Sequence, residues 1–122
     1  MDIIQKLSVL VVAIIHLGFL YLEMFLWKTP KGQKIFKNDT EFAKRTASLA
    51  ANQGLYNGFL SAGLIWSLLC LDPFSFQLKL FFLVSIIIAG IFGAVTVSKN
   101  IIYYQALPAV IALLLTILSK EY

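Results

Sequence analysis

Four long apolar stretches separated by three polar interruptions set the first expectation for this chain. Ile3 to Trp27 is nearly free of charge and closes on Trp27 and Lys28, an aromatic-then-basic pair suited to a headgroup boundary. Thr29-Pro30-Lys31-Gly32 is read as a helix break. Asn38 followed by Glu41 has the spacing of a capping box, which predicts a helix from about residue 39. No breaker follows before Asp72-Pro73, so this helix runs to about 71. At 1.5 Å per residue it is roughly 50 Å long against a hydrocarbon core of about 30 Å, and its first turns are expected to stand outside the lipid. Residues 78–97 form the third run, Ser98-Lys99-Asn100 a tight turn, and residues 101–119 the fourth run. Pro108 is expected to kink that last helix without ending it. The predicted fold is all-α: a four-helix transmembrane bundle with helices at about 3–27, 39–71, 78–97 and 101–119, a basic cytoplasmic loop at about 28–38, and one transmembrane domain over residues 1–122.

Composition strengthens this reading. A 122-residue chain that is 60% hydrophobic and 13% charged, with mean hydropathy +0.86, holds more apolar surface than a soluble domain can bury. The net charge of +4 does not point to nucleic acid, because six of the ten Lys and Arg residues fall between Lys28 and Arg45, as membrane topology requires. In a four-span arrangement those six and Lys99 lie on one side, and Lys6, Lys79 and Lys120 on the other, so both termini are expected on the extracytoplasmic side. The first run is too long for a cleaved signal peptide, contains His16 and Glu23, and is followed by no small-x-small cleavage site; it is read as a retained helix. Cys70 stands alone, which excludes an intramolecular disulfide and C-x-x-C redox chemistry.

Depth along the helices then groups the polar residues. Glu23 lies roughly 6 Å in from Trp27, Asn52, Gln53, Tyr56 and Asn57 occupy the first lipid-embedded turns of the second helix, and Thr96 and Gln105 flank the last hairpin. All fall in one cytoplasmic-side layer. His16 sits two turns deeper on nearly the face of Glu23, about 10 Å from it along the helix. Asn52, Gln53, Tyr56, Asn57 and Ser67 are read as one side of the second helix. Ala50, Gly54, Gly58 and Ala62 form a small-residue ridge on the other. Ser85, Ala89 and Gly93, with Gly90 and Ala94 beside them, give the third helix a similar ridge, so these two helices are expected to be close partners.

Several blocks resemble a family of small four-span bacterial integral membrane proteins of unknown function. They are His16 with Tyr21-Leu22-Glu23-Met24-Phe25-Leu26-Trp27, then Asn52-Gln53-Gly54-Leu55-Tyr56-Asn57-Gly58-Phe59-Leu60 with Ala62-Gly63-Leu64. Ala89-Gly90 with Gly93-Ala94 and Thr96, and Gln105 with Pro108-Ala109, complete them. The resemblance implies a four-helix membrane fold and multi-pass residence in a bacterial inner or plasma membrane. It supplies no activity.

Function is therefore argued from the polar layer. A carboxylate within a spanning helix costs at least about 2.5 kcal/mol on insertion scales and by default marks a site. The leading expectation is a cleft opening to the cytoplasm, lined by His16, Glu23, Asn52, Gln53, Tyr56, Asn57 and Gln105, that binds or carries a small polar or cationic ligand or a proton. Whether the protein is an enzyme stays open: an intramembrane isomerase or hydratase would use Glu23 and His16 as acid and base with Tyr56 polarising the substrate. A structural or assembly subunit, in which the amides are only interhelical glue, is the third reading. One His and one Cys cannot make a zinc site within a single chain, and no metal or cofactor is expected. Nor is there a phosphate-binding loop, an H-E-x-x-H motif or a nucleophile elbow. The lipid bilayer is the expected partner, with a small-molecule ligand; a homodimer is allowed but not required.

Overall fold

The computed structural model describes residues 2–120; Met1, Glu121 and Tyr122, which the expected single domain includes, lie outside them. The described chain is all-α: α1 (Asp2–Phe25), α2 (Pro30–Phe36), α3 (Thr40–Leu69), α4 (Phe74–Thr96), a π-helical segment (Ile102–Ala106) and α5 (Leu107–Lys120), with no strand among the described residues. Three helical stretches are long and apolar enough to cross a membrane: α1, α4, and the π-helical segment continued by α5. Their large apolar side chains also face outward, with Phe81 65%, Phe92 68% and Val95 81% exposed. That surface would be insoluble in water and suits hydrocarbon.

The stretch read as a break and a loop at 28–38 folds instead into the seven-residue α2. Thr29 Oγ1 accepts a hydrogen bond from Gly32 N at 3.1 Å, and Pro30 occupies the first helical position, where its missing N–H is no loss. The residues that stop α1 are the ones that start α2. The helix ends at Lys37, whose left-handed backbone (φ 57°) lets its N–H reach Gln33 O. The cap of α3 is also one residue off the expected capping box: Asp39 Oδ1, not Asn38, accepts from the backbone at Phe42 N, 2.7 Å away. Similarly, α4 begins at Phe74 rather than near 78, because Asp72 Oδ1 accepts from Phe76 N at 3.1 Å and starts the helix before the apolar run does.

The disturbance expected at Pro108 takes the form of a π-helical turn just before it. Leu107 N donates to Ile102 O, five residues back, and the wider turn accommodates a residue that has no N–H to give.

The chain forms two compact units. The first comprises the described residues of Met1–Ile15 and Leu60–Tyr122. Its core is Val9, Val12 and Ala13 of α1, Leu64 of α3, Leu83 and Ile86 of α4, and Ala109 and Ala112 of α5, so four helices share one apolar centre. Ser61 Oγ ties α3 to α1 by donating to Ala13 O at 2.7 Å, both groups away from solvent. Within this unit α3 and α4 are partners, as expected, through Gly63, whose Cβ would fall on the Phe82 ring, while Gly90 of the α4 ridge meets the π-helical segment, where an added Cβ would lie 2.8 Å from Ala106 N.

The second unit is His16–Phe59, formed by the second half of α1, α2 and the first half of α3. Here the small residues of α3 meet α1: a Cβ on Gly54 would lie 2.8 Å from Met24 and 3.1 Å from the Glu23 side chain, and one on Gly58 would lie 2.6 Å from Leu20. The cause lies in the rotation of α3 about its axis. Seen by burial, its inner stripe is Ala50, Gly54 and Asn57, at helical spacing, while Ala62 is exposed. Trp27 closes this unit: its ring packs against Phe36 at a 45° tilt, centroids 4.7 Å apart, and its Nε1 donates to Thr46 Oγ1 at 3.0 Å.

Candidate functional site

The close approach at Gly54, where a Cβ would lie 3.1 Å from Glu23 Cβ and 3.2 Å from Leu20 O, brings Glu23 near enough to α3 for its carboxylate to meet a side chain one turn along. Asn57, 5% exposed, donates from Nδ2 to Glu23 Oε1 at 2.6 Å. A carboxylate offers about four lone-pair sites, so the amide fixes its position while leaving it able to accept from another donor. Glu23 is half-buried, so it is neither a core group nor a solvated surface acid.

The other residues expected to line the cleft are distributed differently. His16 is fully buried and meets Phe19 edge-on, with ring centroids 5.3 Å apart. Asn52 and Gln53 are exposed, and Tyr56 is 55% exposed, its ring edge-on against Phe59 at 5.7 Å. The tetrad thus divides: Asn57 turns inward to the acid, and its three companions sit on the outer surface of α3. Gln105 is half-buried in the π-helical segment and belongs to the first unit. Thr96 bonds back to Phe92 O at 2.7 Å and is exposed.

The first unit holds a polar group that sequence reasoning misses. Gln5, Lys79 and Thr116 are 5%, 4% and 3% exposed, and Thr116 Oγ1 lies 3.3 Å from Gln5 Oε1 and 2.8 Å from Ala112 O. With Asp2, Asp72, Ser119 and Lys120 they surround a cavity of about 40 Å³. One signal points there: Lys79 interrupts an otherwise apolar helix, although membrane topology alone accounts for a lysine in that place.

The chain is 29% identical over 116 residues to the uncharacterized protein YpaA of Lactococcus lactis subsp. lactis (strain IL1403), an alignment that covers 93% of this chain and 97% of that one. No solved structure matches. Residues 10–117 match the profile of a family described as protein of unknown function (DUF1304). Nearly the whole helical fold, with Glu23 and Asn57 inside the matched region, thus carries the family's pattern, and the chain belongs to the DUF1304 family.

Proposed function

We propose that this protein is a four-span cell-membrane protein whose Glu23–Asn57 pair binds or carries a small cation, a proton or a polar ligand that donates hydrogen bonds. The observation that carries the reading is the 2.6 Å bond from Asn57 to a half-buried carboxylate on a helix long and apolar enough to span. An acid in that setting needs a partner to offset its desolvation, and a neutral amide supplies orientation without supplying charge. A cationic donor completes the site chemically. Tyr56, the expected third member of an acid-base enzyme, is turned to the surface, which favours binding over intramembrane catalysis.

Reconstitution tests it. Purified protein should gain thermal stability from at least one of Na+, K+ or methylammonium, or proteoliposomes should take up protons after an acid pulse, and Glu23→Gln should lose the response while remaining folded. A response unchanged in Glu23→Gln, or none to any of these probes, would overturn the reading.

The fourth span in this proposal is α3. From Thr46 to Leu71 the chain has no Asp, Glu, Lys or Arg; its amides, serines and glycines, rather than charge, dilute its apolar character. A helix of 30 residues, about 45 Å long, reaches across with turns to spare. The Lys and Arg bias then places α2 in the cytoplasm and both ends of the chain outside. In a Cys70→Ser background, cysteines introduced at Lys37 and at Tyr122 should label from opposite sides of the membrane. Labelling from one side would mean that α3 does not cross.

A further inference from the structure

The outer face of α3 in the second unit carries an unbroken seam. Glu41, Arg45, Ser48, Asn52, Leu55 and Phe59 follow one another at alternating steps of four and three residues, and every one of them is exposed. Gly54 and Asn57, which meet α1, lie on the other side of the helix. Steps of four and three average 3.5 residues, the period at which one helix keeps a single line of contact with another that winds around it.

Depth makes this seam costly to leave bare. In the four-span reading Trp27 sits at the headgroup boundary, and its bond to Thr46 fixes the level at which α3 enters the bilayer. Asn52 lies roughly 9 Å deeper along the helix, and Tyr56, on the flank of the seam, roughly 15 Å deeper. Both are exposed, and neither side chain has a hydrogen-bond partner among the described residues. An asparagine side chain is too short to reach the headgroups from there. Its amide can make about four hydrogen bonds, and hydrocarbon supplies none of them. Above the lipid, Glu41 and Arg45 stand one turn apart, exposed and in no ion pair among the described residues.

Together these features select a second copy of this chain as the occupant. An amide both donates and accepts, so two asparagines brought face to face satisfy each other. The Lys and Arg bias gives every copy the same orientation, so a two-fold axis runs along the bilayer normal and brings each Asn52 to the depth of its counterpart. A single asparagine in such a seam is the best-attested device for holding two helices in register. The same axis turns Glu41 of each copy toward Arg45 of the other, opposite charges offset by one helical turn, which their long side chains span.

We propose that the protein is a parallel homodimer joined through this face of α3, with Asn52 paired to its counterpart across the axis and Glu41 to Arg45. Leu55 and Phe59 supply the apolar contact deeper in the bilayer. The proposal rests on α3 crossing the membrane but not on any ligand of Glu23. Asn57 turns inward and Asn52 outward, so Glu23→Gln should leave the dimer intact.

The test uses the full-length protein with Cys70→Ser, reconstituted at low density in vesicles of phosphatidylcholine and phosphatidylglycerol. On oxidation with copper phenanthroline, Leu55→Cys and Phe59→Cys should each give a disulfide-linked dimer, and Gln53→Cys, exposed but off the seam, should not. Energy transfer between labelled copies, followed as lipid is added, gives the dimer dissociation constant. Asn52→Leu should raise it by about tenfold, as expected for lost interhelical hydrogen bonds in lipid, while Asn52→Gln, which keeps an amide, should stay near wild type. Arg45→Glu should weaken the dimer, and adding Glu41→Arg to the same chain should restore it. These two changes lie outside the lipid and decide the matter should Asn52→Leu insert poorly. Three results overturn the inference: a monomeric wild type, crosslinking through Gln53→Cys as strong as through Leu55→Cys, or a dimer indifferent to both Asn52→Leu and Arg45→Glu. A monomer whose cysteines at Lys37 and Tyr122 label from opposite sides overturns the dimer and leaves the four-span reading standing, whereas labelling from one side removes the premise of both.

Discussion

Gly90→Ala is expected to destabilise this protein although the same change at Gly18 stabilises it. Both glycines sit inside helices, where alanine is intrinsically better by about 1 kcal/mol. At Gly18 an added Cβ meets nothing within 4 Å, so that preference should be realised as a small gain. At Gly90 the same atom would lie 2.8 Å from Ala106 N, 2.9 Å from Ala106 Cβ and 3.0 Å from Ala106 Cα. Backbone cannot rotate away as a side-chain tip does, so α4 and the π-helical segment must separate. Overpacking of this kind costs typically about 1–3 kcal/mol for one methylene and should exceed about 3 kcal/mol in Gly90→Leu. For a domain of this size that lowers the melting temperature by roughly 10 °C. Leu69→Ala is the control: the side chain is 80% exposed, and surface changes usually stay within about 0.5 kcal/mol. Thermal unfolding of the four variants in one detergent gives the order, and a Gly90→Ala that melts above wild type would show that the two backbones do not approach as described.

The pattern of apolar and polar positions carries most of the secondary structure, because long runs of one character leave a helix in lipid few alternatives. Its errors cluster where one residue serves two elements. Thr29 and Pro30 end α1, and the same hydroxyl and the same missing N–H begin α2, so reading them only as a breaker loses a helix. Asp72 with Pro73 reads as an end, whereas the Asp72 carboxylate caps the helix that follows. Caps are chosen by side-chain geometry within a turn, and hydropathy does not register them.

The candidate site is legible in part for a comparable reason. A carboxylate in an apolar run announces itself by its cost, and Glu23 does lie against α3. Which of four neighbouring polar residues would meet it turns on a rotation of α3 by less than half a turn. Grouping Asn57 with Asn52, Gln53 and Tyr56 assumes one broad polar face. The structure instead places Asn57 on the stripe with Ala50 and Gly54, where small residues let α1 come close. Lys79 is hidden differently: a lysine near a helix end is ordinary for a spanning segment, and only the cavity it shares with Ser119, on another helix, makes it unusual.

The pair at the centre of the proposed site should respond asymmetrically to the loss of either member. Asn57→Leu removes the donor and leaves the half-buried carboxylate against a hydrocarbon side chain, a loss of about 2 kcal/mol for an abandoned charged acceptor. Glu23→Gln keeps an acceptor within reach of Asn57 Nδ2 and sheds the charge, so it should be close to neutral or slightly stabilising. The double variant then leaves only a neutral amide facing the introduced aliphatic side chain, and should cost less than Asn57→Leu alone. This gives a coupling energy on the order of 1 kcal/mol, in the range found for residues in direct contact. Interhelical glue would behave otherwise, because both single changes would lower the melting temperature together and neither would change the response to cations. Binding predicts that Glu23→Gln melts near wild type and ignores Na+, K+ and methylammonium. It also predicts that Asn57→Leu melts several degrees lower yet is rescued in part by the cation that the bare carboxylate now needs more. Melting curves of the three variants beside wild type, each with and without the cations, separate the two; equal losses in both single variants with no cation dependence would sink the binding role.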